Sequence, residues 1–151
     1  MRPLPGSEAA GLSEREREVL TLMLEGKENS DIAMELHISP HTARSHVSRV
    51  LAAYGTTTRS TLAARVAASM QDTNTAARAG VALGELTPRQ SAVVEHVLTG
   101  ASNADIASGL GISVRTVEKH VNDAMHRWRV GSRVALILRG AGIEVDACPE
   151  K

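Results

Sequence analysis

The chain contains no phenylalanine, one tyrosine (Tyr54), one tryptophan (Trp128) and one cysteine (Cys148). With so few aromatics, a core of any size must be assembled from Ala, Leu, Val and Ile. One cysteine excludes an internal disulfide framework and any Cys-based zinc cluster within the chain. Beside Pro149 in the tail, Cys148 reads as a free thiol. Net charge is lacking as well, since 17 Lys and Arg balance 17 Asp and Glu. Total charge therefore gives no argument for a nucleic-acid partner, and only its distribution can. No apolar run approaches the roughly 18 residues of a spanning helix. The opening Met1-Arg2-Pro3-Leu4-Pro5-Gly6 has no signal-peptide core. The expectation is a cytoplasmic protein with no membrane partner. A Gly-rich phosphate loop, a nucleophile elbow and zinc-ligand spacings are all missing, so no catalytic residue, metal or cofactor is expected and the chain does not read as an enzyme.

What the chain has is a repeat. Shifted by 74 residues, it aligns with itself without a gap: Leu12 on Leu86, Arg15 on Arg89, Gly26 on Gly100, Asn29 on Asn103, and Asp31-Ile32-Ala33 on Asp105-Ile106-Ala107. Ile38-Ser39 falls on Ile112-Ser113, Thr42 on Thr116, His46-Val47 on His120-Val121, Arg59 on Arg133 and Leu62 on Leu136. The organisation this implies is an N-terminal arm (1–11), unit 1 (12–70), a linker (71–85), unit 2 (86–143) and a tail (144–151). The linker is poor in large apolar residues and holds Gly80 and Gly84, although Thr75 to Ala79 could extend a helix.

Each unit opens on a helix start. Ser13-Glu14-Arg15-Glu16 is a capping box, and Thr87-Pro88-Arg89-Gln90 is the same device with Pro in the first turn. Apolar residues follow at helical spacing, Val19, Leu20, Met23 and Leu24 in one unit and Val93, Val94, Val97 and Leu98 in the other. Gly26 and Gly100 stand where a helix end favours a left-handed residue. Asn29 and Asn103 can cap a second short helix. After a three-residue break, Ser39 and Ser113 cap a third. The apolar positions of that third helix are Ala43, Val47, Val50, Leu51 and Tyr54, matched by Val117, Val121, Ala124, Met125 and Trp128. A fourth helix follows Arg59 and Arg133.

A short helix, a tight turn and a longer helix make a helix-turn-helix, with Ala33 and Ala107 small enough for the two helices to cross. Each unit resembles a LuxR-type (GerE-type) DNA-binding domain. Unit 1 carries the resemblance in Leu12-Ser13-Glu14-Arg15-Glu16, in Gly26 to Ala33 and in Ile38 to Val47. Unit 2 carries it in Leu86 to Gln90, Asn103 to Ala107 and Ile112 to Val121. Departures are Gln90 for the usual Glu, Ala43 for the usual Val, and Arg129 where unit 1 has Gly55. The fold expected is all-α, two tandem four-helix units joined by a short linker.

Charge is segregated within each unit. Seven acids lie between Glu14 and Glu35, whereas Leu36 to Met70 holds Arg44, Arg49, Arg59 and Arg65 and no acid, a net +4. In unit 2, Leu110 to Ile143 holds six cations against Glu118 and Asp123, again +4. The basic half contains the third helix both times, which is the footprint DNA phosphates require. Positions on that helix that turn away from the core are His41, Arg44, Ser45, Ser48 and Arg49, and Arg115, Glu118, Lys119, Asn122 and Asp123. The resemblance implies base reading at Arg44, Ser45 and Ser48 and at Glu118, Lys119 and Asn122. Arg and Lys suit guanine, Asn suits adenine, and Glu can accept from cytosine. Ser39, Thr42, Ser113 and Thr116 lie at helix N-termini, where phosphate binds, or act as local caps. Arg59 and Arg133 either touch phosphate or pair with the first helix, where Glu16 is available in unit 1 and the neutral Gln90 in unit 2. His46, His120, Tyr54 and Trp128 share the core-facing side and read as packing residues.

The resemblance further implies pairing of units through the fourth helix, where Leu62, Ala63, Val66, Leu136, Ile137 and Leu138 form an expected partner surface. A homodimer and an intramolecular pseudo-dimer both remain open, the 15-residue linker reaching about 50 Å if extended. The function expected is sequence-specific binding of double-stranded DNA by a transcriptional regulator without a sensor domain of its own. The competing reading is an interaction protein that docks on another regulator or on RNA polymerase.

Overall fold

The computed structural model describes residues 11–70 and 73–143. The arm up to residue 10, and the tail with Cys148, lie outside the described residues. Those described form nine helices and no strand. Unit 1 comprises α1 (Glu14–Leu24), α2 (Asn29–Leu36), α3 (Pro40–Ala53) and α4 (Arg59–Ser69). Unit 2 comprises α6 (Pro88–Val97), α7 (Asn103–Leu110), α8 (Val114–Trp128) and α9 (Arg133–Gly140), and α5 (Thr73–Gly84) lies between the units.

The helix starts follow from local chemistry. Ser13 Oγ accepts from the Glu16 amide while the Glu16 carboxylate accepts from the Ser13 amide, at 3.2 and 3.1 Å. Thr87 and Gln90 repeat the exchange, both at 3.2 Å. One detail differs from expectation. The residues capping α2 and α7 are Glu28 and Ser102, one position earlier than Asn29 and Asn103. The turn after α2 places His37 in the left-handed region, at φ 54°, where unit 2 has Gly111 at 66°. The roles reverse after the third helix, with Gly55 at 65° and Arg129 at 56°. Each unit thus holds one side chain in a conformation that costs about 1 kcal/mol or more outside glycine.

Within unit 1, α1 and α2 pack on α3; within unit 2, α6 and α7 pack on α8. Ala33 and Ala107 are buried where the two helices of each helix-turn-helix meet, and Ala43 and Val117 are fully enclosed. The third helices bury Val47 and Val50 in one unit and Val121, Ala124 and Trp128 in the other, as their spacing predicts.

Segment 71–85, read as a linker, contains α5. It is rich in alanine, the best helix former, and one face docks on α9. Trp128 Nε1 donates to the Ala82 carbonyl at 3.2 Å, in a buried bond that ties α5 to the end of α8. Twelve residues in helix rise only about 18 Å, so α5 is a strut attached to unit 2. Trp128→Phe removes the donor together with the five-membered part of the indole. It is expected to cost at least about 1 kcal/mol, the worth of the lost bond alone, in urea unfolding followed by circular dichroism, and to speed proteolysis within α5. Unchanged stability and protease resistance would contradict the strut.

The fourth helices pair with each other inside one chain, one of the two arrangements that the sequence leaves open, and their apolar residues are covered there. Leu62, Ala63, Val66, Leu136, Ile137 and Leu138 are buried and do not form an exposed apolar surface. The reason is that α4 and α9 pack on each other, so the apolar face of each is covered inside one chain. The seam is reciprocal. Gly26, at φ +85° after α1, sits so close to the start of α9 that a Cβ there would lie 2.7 Å from Ser132 Oγ. Gly100, at φ +86° after α6, sits against α4, where a Cβ would lie 3.0 Å from Thr61 Cγ2. Each unit's first helix therefore ends against the other unit's fourth.

Candidate nucleic-acid interface

The two third helices are built alike. Ser39 Oγ accepts from the Thr42 amide at 3.0 Å and shares a hydroxyl–hydroxyl bond with Thr42 Oγ1 at 2.9 Å. Ser113 and Thr116 make the same pair of bonds at 3.1 and 2.8 Å. All four candidate phosphate residues at these N-termini are thus engaged in capping. Pro40 contributes no amide hydrogen to the first turn of α3, whereas Val114, which is exposed, occupies its place on α8.

Opposite the buried stripe, Arg44, Ser48 and Arg49 of α3 are exposed. Ser45 is half-buried, and its hydroxyl donates back to the His41 carbonyl at 3.2 Å. On α8, Arg115, Glu118, Lys119 and Asn122 are all exposed, at the spacing that stacks side chains along one helix face. Lys119 Nζ lies 3.6 Å from the Asp123 carboxylate, one turn further on. With Lys119 75% exposed, this pair contributes little to stability, but it steers the Lys along the helix. Among the described residues, Arg44, Arg49, Arg115, Glu118 and Asn122 have no side-chain hydrogen bond or ion pair, so their polar groups are available to a ligand. The outer face of α3 is purely cationic; that of α8 is mixed.

Arg59 and Arg133 belong elsewhere. Arg59 donates to the Lys27 carbonyl at 2.6 Å and to Asn29 Oδ1 at 2.5 Å. Arg133 donates to the Ala101 carbonyl at 2.7 Å and to Asn103 Oδ1 at 2.6 Å. Each guanidinium staples the start of the fourth helix to the loop and first residue of the second. Neither pairs with Glu16 or Gln90, which are occupied in the capping boxes. Burial lowers the pKa of both guanidiniums, and for Arg59 the Glu28 carboxylate partly offsets the effect. Both line a cleft of about 630 Å³ at the seam between the units. These bonds hold the scaffold together by tying the fourth helix to the second in each unit. The sequence held a signal for this, because each Arg recurs 30 residues after an Asn in both copies.

His46 and His120 occupy equivalent half-buried positions, and the Nδ1 of each is buried without a hydrogen bond. No group of His, Cys, Asp or Glu among the described residues could hold a metal ion. No described helix is long and apolar enough to cross a membrane.

Comparison with known proteins agrees with this architecture. Residues 10–66 and 84–139 each match the model of the family described as bacterial regulatory proteins, luxR family. Over 52 residues the chain is 36% identical to the probable transcriptional regulator ycf29 of Pyropia yezoensis, covering 34% of this chain and 23% of that protein. Over 53 residues it is 42% identical to the nitrate/nitrite response regulator protein homolog of Haemophilus influenzae, covering 35% of this chain and 26% of that one. The chain thus spans about a quarter of the length of these relatives. No solved structure matches. With the family's domain present twice and together covering most of its length, the chain belongs to the luxR family of bacterial regulatory proteins.

Proposed function

We propose that the protein is a transcriptional regulator that binds double-stranded DNA sequence-specifically, presenting α3 and α8 to the major groove as an intramolecular pseudo-dimer. The observation that carries this reading is the outer face of α3. It presents Arg44 and Arg49 exposed and unpartnered, on the second helix of a helix-turn-helix, in a half-unit with no acid. Such a face supplies both the attraction to phosphate and the bidentate donors that discriminate guanine. The packing of α4 on α9 supports the pseudo-dimer, because it joins two reading helices without a second chain. The relatives' descriptions, a transcriptional regulator and a nitrate/nitrite response regulator homolog, agree with the regulatory role.

Electrophoretic shift of genomic fragments at low and physiological salt tests the reading, with sedimentation of the complex to count chains. One chain per operator is expected. Arg44→Ala and Lys119→Ala are each expected to weaken specific binding by about 1–3 kcal/mol. Unchanged affinity in both variants at physiological salt would remove the base-reading assignment, and two chains per operator would remove the pseudo-dimer.

A further inference from the structure

The two reading helices share a scaffold and differ in chemistry. Their N-caps, capping bonds and buried stripes correspond position by position across the 74-residue shift. Side chains at corresponding positions are therefore held at the same place on equivalent helices. Yet Arg44 corresponds to Glu118, Ser45 to Lys119, Ser48 to Asn122 and Arg49 to Asp123. An arginine donates a fork to guanine N7 and O6, while a carboxylate can only accept, and the exposed base group that donates without an adjacent acceptor of its own is the cytosine amine. Asn122, by contrast, has the donor and acceptor that adenine requires. A carboxylate brought among DNA phosphates is repelled unless it finds such a donor, so Glu118 discriminates strongly against bases that offer none.

Two further features fix which unit lies on which side. The units are joined through α4 and α9 within one chain, and the strut α5 docks on unit 2, at α9 and Trp128. The assembly therefore has a direction, which a pair of identical chains would not have.

We infer that the operator is asymmetric and the protein binds it in one orientation, with Arg44 and Arg49 reading a guanine-bearing half-site and Glu118 and Asn122 reading a half-site with cytosine and adenine at the corresponding positions. This rests on the proposed DNA reading and specifies its ligand. Glu118 is a specificity-determining residue whose contribution lies in rejecting wrong bases.

The test begins with selection of bound duplexes from a randomised library by the full chain. The best operator is then compared with two symmetrised versions, each carrying one half-site twice. Wild type is expected to favour the composite operator over either symmetrised one by about 5- to 150-fold, the range of one bidentate contact. The triple variant Arg44→Glu, Ser45→Lys, Ser48→Asn places the unit 2 side chains on α3. It is expected to shift preference to the operator carrying the unit 2 half-site twice. A second variant changes a single exposed residue: Glu118→Gln is expected to relax the cytosine position toward adenine and to leave the unit 1 half-site unaltered. A perfect palindrome bound by wild type as tightly as the composite overturns the inference and leaves DNA reading intact. So does a Glu118→Gln variant with the wild-type base preference. A library from which nothing is retained at either salt overturns the DNA reading itself, and the inference with it.

Discussion

Leu62→Ala and Leu136→Ala are each expected to destabilise the protein by about 2–5 kcal/mol, a large part of the roughly 5–15 kcal/mol that holds a domain folded. Both side chains are almost completely enclosed, at 1% and 0% exposure, and they lie on the two helices that form the seam between the units. Truncation removes transfer energy and leaves a cavity, because α4 is backed chiefly by α9 and cannot slide inward without breaking the close approaches at Gly26 and Gly100. The effect should not stay in the unit that carries the change. A probe in unit 2, the fluorescence of Trp128, is expected to report earlier urea unfolding for Leu62→Ala in unit 1. A shift below about 1 kcal/mol, or a Trp128 transition that ignores Leu62→Ala, would show that the units do not depend on each other.

Replacing Arg59 or Arg133 with Met is expected to cost about 2–3 kcal/mol, since each loses two hydrogen bonds from a charged donor and leaves a carbonyl and an amide oxygen unmatched. Methionine fills much of the space of the arginine stem, so the loss reports the guanidinium. Lysine is expected to rescue little, because one ammonium point charge does not reproduce a planar fork bonded to two acceptors. Denaturation midpoints give the comparison. If these arginines served phosphate instead, Arg59→Met would leave the midpoint in place and flatten the salt dependence of DNA binding. The two measurements together separate the roles.

The arginine staples also show why parts of the structure were hidden from a linear reading. Helix starts at Ser13, Ser39, Thr87 and Ser113 were legible because a cap and its partner lie within three residues. The buried stripes of α3 and α8 were legible because periodicity alone separates their faces, and the exposed candidates Arg44, Ser48, Arg115, Glu118, Lys119 and Asn122 follow from the same register. Asn29 and Asn103 looked like caps, since local preference favours them there. Their side chains are instead taken up by an arginine 30 residues away, a contact that no local pattern encodes. Helix α5 was legible only as a possible helical stretch from Thr75 to Ala79, because alanine gives helix propensity but little apolar contrast; its full extent and its dock on Trp128 are set by tertiary packing. The left-handed turn at His37 was obscured because the sequence names a residue that would rather avoid it. Apolar spacing on α4 and α9 announced that a face must be covered; it carried no information about whether the cover came from the same chain or another.

The source of that cover has a consequence for dosage. A regulator assembled from two separate chains is diluted apart at low abundance, and below its dimerisation constant the active species falls with the square of concentration. Here the mate of each fourth helix is synthesised on the same polypeptide. For a regulator acting through this seam, the concentration of competent molecules tracks the number of chains made in direct proportion. In the pseudo-dimer proposed above, promoter occupancy follows a simple saturation curve, with no dimerisation threshold to cross. Mixed pairs formed by exchange with related regulators are also disfavoured, because an exchanging helix would have to displace a neighbour held at an effective concentration of about millimolar or above.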